Sequence, residues 1–163
     1  MNHIEQKLDI LITGGTLLTM ADQPDIVENP LIGVRDGKIL FVEKGKMPEG
    51  VSSDACERID ASGCFVMPGL VNTHTHLPMV LFRGLADDLP LMTWLKDHIF
   101  PVESRFITRK TAHAGAMLAI AEMILSGTTT FCDGYFFESS VASAAIAAGM
   151  RGITAQGFID FPT

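Results

Sequence analysis

Residues 67–76 read MPGLVNTHTH, an apolar run that ends in two histidines separated by one threonine. In a β-strand successive side chains point to opposite faces, so His74 and His76 project from the same face. Two neutral imidazoles side by side are a chelating pair for a divalent metal such as Zn2+. The same short pattern also arises when two polar residues end a strand and each is hydrogen-bonded nearby. The surrounding sequence has to separate the two.

The chain has 163 residues, 47% of them hydrophobic, which is enough for one domain with a sizeable core. A net charge of −7 and the lack of a Lys/Arg cluster argue against a phosphate-tracking surface, and so against a nucleic-acid partner. Cys56, Cys64 and Cys132 are odd in number and show no Cys-x-x-Cys spacing. They point away from a disulfide framework or a thiolate zinc site and towards a reducing, cytoplasmic compartment. The opening MNHIEQKLDI lacks the basic and apolar regions of a signal peptide, and no apolar run approaches the ~20 residues that span a bilayer. A soluble protein with no membrane partner is expected.

The elements that must hold the histidines change character along the chain. From Leu8 to about Cys64 short apolar runs alternate with Gly, Pro and Asp, and Asp36-Gly37 supplies the positive φ angles of a tight hairpin. Residues 1–64 therefore read as an all-β module. CFVMPGLVNTHTH then reads as one nearly continuous strand buried on both faces, as in a parallel sheet. TWLKDHI is a short helix candidate within a long connection. Thr108 caps a helix over TRKTAHAGAMLAIAEMILS that gives way to Gly127, and a second helix, SSVASAAIAAGM, stops at Gly149. TTTFCDG and RGITAQGFID supply the second and third strands. Strands alternating with helices at this spacing imply parallel pairing through crossovers. A (β/α)8 barrel needs ~250 residues, so residues 65–163 are expected to form only its first three strands, the N-terminal portion of a larger protein.

The string VMPGLVNTHTHLPMVLFRGLADDLPLMTWLKDHIFPVE, followed by GTTTFCDGYFF, resembles the amidohydrolase superfamily in its cytosine deaminase, chlorohydrolase and adenosine-type deaminase branch. Within that branch it is most similar to the 5′-methylthioadenosine/S-adenosylhomocysteine deaminases. The resemblance runs from ILITGGTLLTM through the third strand; PGLVNTHTH carries the superfamily, and LADDLPLMTWL with PVE narrows the branch. It implies an α/β fold, an N-terminal β-sandwich module followed by a metal-dependent TIM barrel truncated after strand 3. His74 and His76 would then hold one Zn2+, with Fe2+ or Mn2+ as alternatives, at the C-terminal end of barrel strand 1. The remaining ligands and the general acid/base glutamate would lie beyond Thr163, so no catalytic acid/base is expected within residues 1–163 and these residues alone are expected to be inactive. The implied reaction is hydrolytic deamination of an adenine nucleoside, such as 5′-methylthioadenosine or S-adenosylhomocysteine, to ammonia and the inosine analogue. Guanine, cytosine or an s-triazine are alternative substrates, and a non-catalytic scaffold is an alternative of another class. Beside the small-molecule nucleoside, the implied partners are copies of the chain or the segment that completes the barrel.

By the same resemblance, Glu103 matches a glutamate that accepts hydrogen bonds from ribose hydroxyls, and Trp94 lines the pocket or anchors its loop. Arg83, Asp87 and Asp88 are expected to hold the intervening loop through an Arg–Asp pair. Asp133, ending strand 2, reads as a loop-capping carboxylate. His98 and His113 read as structural, His3 as part of a disordered terminus, and Met117 and Met123 as core. Relatives that deaminate nucleosides carry an arginine inside strand 3, whereas ITAQGFID has none and Arg151 stands at the far end of the strand. That difference favours methylthioadenosine over a substrate with a carboxylate tail.

Overall fold

A computed structural model describes residues 6–22 and 25–158; His3 lies outside them. The chain divides into two compact units at Pro68/Gly69. The first is all β and comprises Gln6–Thr13 (β1), Thr16–Leu18 (β2), Ile26–Glu28 (β3), Pro30–Arg35 (β4), Lys38–Lys44 (β5), Val51–Asp60 (β6) and Phe65–Val66 (β7). These form two sheets, β5-β4-β1-β6 and β3-β2-β7. Asp36 and Gly37, with φ of +50° and +69°, make the two-residue turn between β4 and β5. Their positive φ pair suits the right-handed twist of the flanking strands.

The single strand expected over CFVMPGLVNTHTH is two strands. Phe65–Val66 pairs in parallel with β2, and a separate strand, Leu70–Thr75 (β8), begins after Met67-Pro68-Gly69. Pro68 has no N–H to continue a ladder, so the run breaks there. The unit boundary accordingly falls after Pro68 and not after Cys64.

The second unit continues from β8 into a 3-10 turn, Leu77–Phe82. An unbroken helical stretch follows, made of Leu91–Thr93 (α1), a π-helical turn Trp94–Ile99, and Phe100–Phe106 (α2). The expected short helix over TWLKDHI is therefore the middle of a longer one. Next come Arg109–Leu125 (α3), Thr128–Tyr135 (β9), Glu138–Ala148 (α4) and Arg151–Gln156 (β10). The strands lie in the order β10-β9-β8, all parallel, joined by helical crossovers. Thr108 starts α3 with a capping box: its hydroxyl accepts from the Thr111 N–H (3.2 Å), and the Thr111 hydroxyl accepts from the Thr108 N–H (2.8 Å). Gly127 follows the last turn at φ +81°, where only glycine is unstrained.

Gly115, Ala116, Ala119, Ile120 and Met123 form the buried stripe of α3, with Phe131 of β9 and Val141 of α4 in the same core. Met117 lies off that stripe and is 37% exposed, contrary to its expected place in the core. The helix is apolar on most sides, so periodicity did not single out one face. Burial of β8 on both faces is likewise not observed: Leu70 and Val71 are 50% and 58% exposed. Among the described residues β8 pairs only with β9 and forms an edge of its sheet.

Candidate metal and substrate site

The histidine pair is aimed by a register shift. Asn72 of β8 sits opposite Phe131 of β9, but Thr75 sits opposite Asp133, so three steps of β8 match two of β9. The extra residue turns the strand end. Thr75 now shares a face with Asp133, and by alternation His74 and His76 take the opposite, open face. The Asn72 side chain accepts a hydrogen bond from the His74 N–H (3.3 Å), which occupies a backbone donor at the shift.

The imidazoles converge, with His74 Nε2 3.3 Å from His76 Nε2. Two nitrogens bound to one tetrahedral Zn2+ at about 2.0–2.1 Å stand roughly 3.3–3.4 Å apart, so this spacing fits a shared metal. His76 Nδ1 lies 2.6 Å from the Gly134 carbonyl. A carbonyl only accepts, so Nδ1 carries the hydrogen and Nε2 keeps its lone pair for a metal. Among the described residues no third His, Cys, Asp or Glu joins the pair.

Just past His76 the chain is pinned. Leu77 and Pro78 are buried, and the turn they open lies against Gly115, where an added Cβ would stand 2.9 Å from Pro78 Cα. Asp133, 3% exposed, accepts at Oδ1 from the Thr75 hydroxyl (2.5 Å) and from the Leu77 N–H (2.7 Å). This is a capping role that straddles His76.

Beside His76 opens a pocket whose lining includes Met79, Trp94, Ile99, Glu103, Tyr135 and Phe136. Trp94 and Glu103 are nine residues apart, about two and a half turns of a regular α-helix, which would put them on opposite sides. The wider winding of the π-helical turn between them brings both to the pocket. Glu103 is buried and accepts from the Tyr135 hydroxyl at 2.5 Å, so it is not a solvated charge. Burial raises its pKa above the ordinary carboxylate value, against the opposing pull of the Tyr135 hydrogen bond and of His76. Burial and the Glu103 carboxylate together hold the Tyr135 phenol in its protonated, donating form.

Arg83 does not pair with Asp87 or Asp88. It makes a bidentate bond with Glu122 of α3 (3.0 and 2.6 Å), because the 3-10 turn packs along that helix. His113 stands 3.2 Å from the Ser140 carbonyl and ties α3 to α4, while His98 is half-buried in the π-helical turn. Arg151, at the start of β10, lies by Thr130 and away from the histidines.

Two residues that sequence reasoning passed over belong to this region, Tyr135 and Glu138. By alternation Tyr135 shares the Asp133 face, opposite the histidines, so strand periodicity gave no signal for its reach to Glu103. Glu138 sits in the first turn of α4, where carboxylates are common and attract no notice. It is nevertheless 4% exposed, and burial, with Asp133 adding to the effect, pushes its carboxyl up to about 8 from 4.5. Between those values the unfolded chain is ionised and the folded one is protonated, so folding takes up a proton. Stability should therefore fall as pH rises from about 4.5 to 8. Glu138→Gln cannot ionise and should lose that part of the slope; urea midpoints at pH 5 and pH 8 measure it, and an unchanged slope in the variant would contradict the assignment.

The amidohydrolase family matches residues 65–162. The chain is 46% identical over 159 residues to a 5-methylthioadenosine/S-adenosylhomocysteine deaminase of Syntrophobacter fumaroxidans, covering 96% of this chain and 35% of that protein. It is 54% identical over 110 residues to a 5′-deoxyadenosine deaminase of Methanococcus vannielii, covering 68% and 26% respectively. The crystal structure of an adenosine deaminase from Xanthomonas campestris with bound zinc superposes with a TM-score of 0.87 at 37% identity, over 97% of this chain and 36% of that one. The matched stretch thus spans about a quarter to a third of the length of these curated relatives.

Proposed function

The chain belongs to the amidohydrolase family, and we propose that it supplies the first metal ligands and one pocket wall of a deaminase acting on an adenine nucleoside with an uncharged 5′ substituent, 5′-methylthioadenosine or 5′-deoxyadenosine. One observation carries the reading: two imidazoles converge at metal-binding distance on the rim of a pocket that His76 shares with Trp94 and Glu103. The other ligands, the acid/base glutamate and the rest of a TIM barrel are assigned by this reading to the remainder of the full-length protein. That segment, or a second copy of the chain, would cover Leu70 and Val71. The free cysteines suit a reducing, cytoplasmic setting, and no helix among the described residues is long and apolar enough to cross a membrane.

His74 and His76 would hold the Zn2+, which when bound would supply Lewis-acid activation of water. The chain's own residues orient and select. The Gly134 carbonyl fixes the tautomer and tilt of His76. Tyr135 occupies Glu103 Oε1 and leaves Oε2 to accept from a ribose hydroxyl. Met79, Trp94, Ile99 and Phe136 offer apolar surface to the purine or a thioether and exclude water from it.

The metal-loaded full-length protein, assayed for ammonia release, should deaminate 5′-methylthioadenosine and 5′-deoxyadenosine at a kcat/KM about tenfold or more above that for S-adenosylhomocysteine, because the one arginine of β10, Arg151, stands at the start of the strand, by Thr130 and away from the histidines, where it does not meet that substrate's charged tail. Guanine and cytosine should be inert. Turnover of the free bases without the nucleosides would transfer the protein to a heterocycle deaminase, and full zinc content with no turnover of any of them would make it a scaffold.

A further inference from the structure

Behind the histidine strand lie two buried carboxyl groups, Asp133 and Glu138, that the reaction does not use. Asp133 Oδ1 holds the Thr75 hydroxyl, between the two histidines, and the Leu77 N–H, immediately after them. Asp133 Oδ2 and both oxygens of Glu138 meet no donor among the described residues. Buried oxygens without donors are costly, and two adjacent ionised carboxylates would add repulsion. A single proton carried by Glu138 and donated to Asp133 Oδ2 would remove the repulsion and give Oδ2 its donor. The Glu138 N–H is itself held by Gln156 Oε1 (3.2 Å), which ties this first turn of α4 to the end of β10.

We propose that Asp133 and Glu138 form a hydrogen-bonded acid–carboxylate pair that positions His74 and His76 and thereby sets the affinity of the site for its metal. The inference rests on the reading of His74 and His76 as ligands. Both carboxyl residues are positioning residues, acting through Thr75 and Leu77. The upward shift of the Glu138 carboxyl is in keeping with the shared proton. Partners that orient ligands in this way typically govern metal affinity by about 10–100-fold.

The test uses the full-length protein, with Zn2+ affinity read by chelator competition and ligand geometry by the visible spectrum of the Co2+-substituted form. Glu138→Gln retains a neutral donor for Asp133 and should bind Zn2+ within about twofold of wild type, with an unaltered Co2+ spectrum. Glu138→Leu, which orphans Asp133 Oδ2, and Thr75→Val, which removes one clamp, should each weaken binding by roughly 10–100-fold and shift the spectrum. A Glu138→Gln variant as damaged as Glu138→Leu would overturn the proposal and point to a cationic partner for Glu138. Wild-type affinity in both Glu138→Leu and Thr75→Val would overturn it as well; should Glu138→Leu not fold, Thr75→Val decides. His74→Ala serves as the control. If it keeps its metal the ligand reading has failed, whereas if it loses its metal and Thr75→Val and any folded Glu138→Leu do not, only the positioning pair has failed.

Discussion

Replacing His74 or His76 by alanine in the full-length protein should strip most of the metal and cost more than about 10³-fold in kcat. The magnitude follows from what the metal does to water: moving its pKa from 15.7 to about 7 changes the supply of nucleophile near neutral pH by many orders of magnitude. Each imidazole is a direct partner in a 3.3 Å pair, and among the described residues no neighbouring His, Cys, Asp or Glu can take its place. The two variants should differ in one respect. His76 is held by the Gly134 carbonyl and His74 meets chiefly the other ring, so metal-free His74→Ala should unfold at the same temperature as metal-free wild type, while His76→Ala also loses a hydrogen bond to β9. Metal analysis, turnover and thermal unfolding of the metal-free proteins give the comparison. Normal zinc with normal turnover in either variant would remove the chelating strand, and with it the proposed chemistry.

Glu103→Gln should lower kcat/KM for 5′-methylthioadenosine by roughly tenfold to a hundredfold, the loss of about 1.5–3 kcal/mol that goes with a charge-assisted hydrogen bond. The substitution is mild in structural terms, because glutamine still offers an oxygen to the Tyr135 hydroxyl and no metal ligand changes. Zinc content should stay at the wild-type level. Any residual activity on free adenine, which has no ribose, should hardly move, and that contrast identifies the contact. Equal losses on nucleoside and base would place Glu103 in the chemical step, and no loss on either would leave it as a buried partner of Tyr135 alone.

Much of this arrangement was legible in the chain itself wherever a residue's role depends on its immediate neighbours. The period of two in a strand put His74 and His76 on one face, Asp36-Gly37 marked the hairpin, Thr108 the start of α3, and Gly127 and Gly149 the ends of α3 and α4. These are steric and hydrogen-bonding rules that act over a few residues, so the sequence carries them whole. It did not carry the direction in which the histidine face looks. An unshifted pairing of β8 with β9 would have set His74 against Asp133, on the side where Thr75 now lies; the shift between Asn72 and Thr75 reversed this. Nor did it show that a π-helical turn rotates Trp94 and Glu103 to one pocket, that Arg83 reaches Glu122 in place of Asp87 or Asp88, or that Asp133 and Glu138 are buried together. Register, helical phase and partner choice each depend on a second element distant in sequence, whose position follows from how the core packs, and only the tertiary structure decided them.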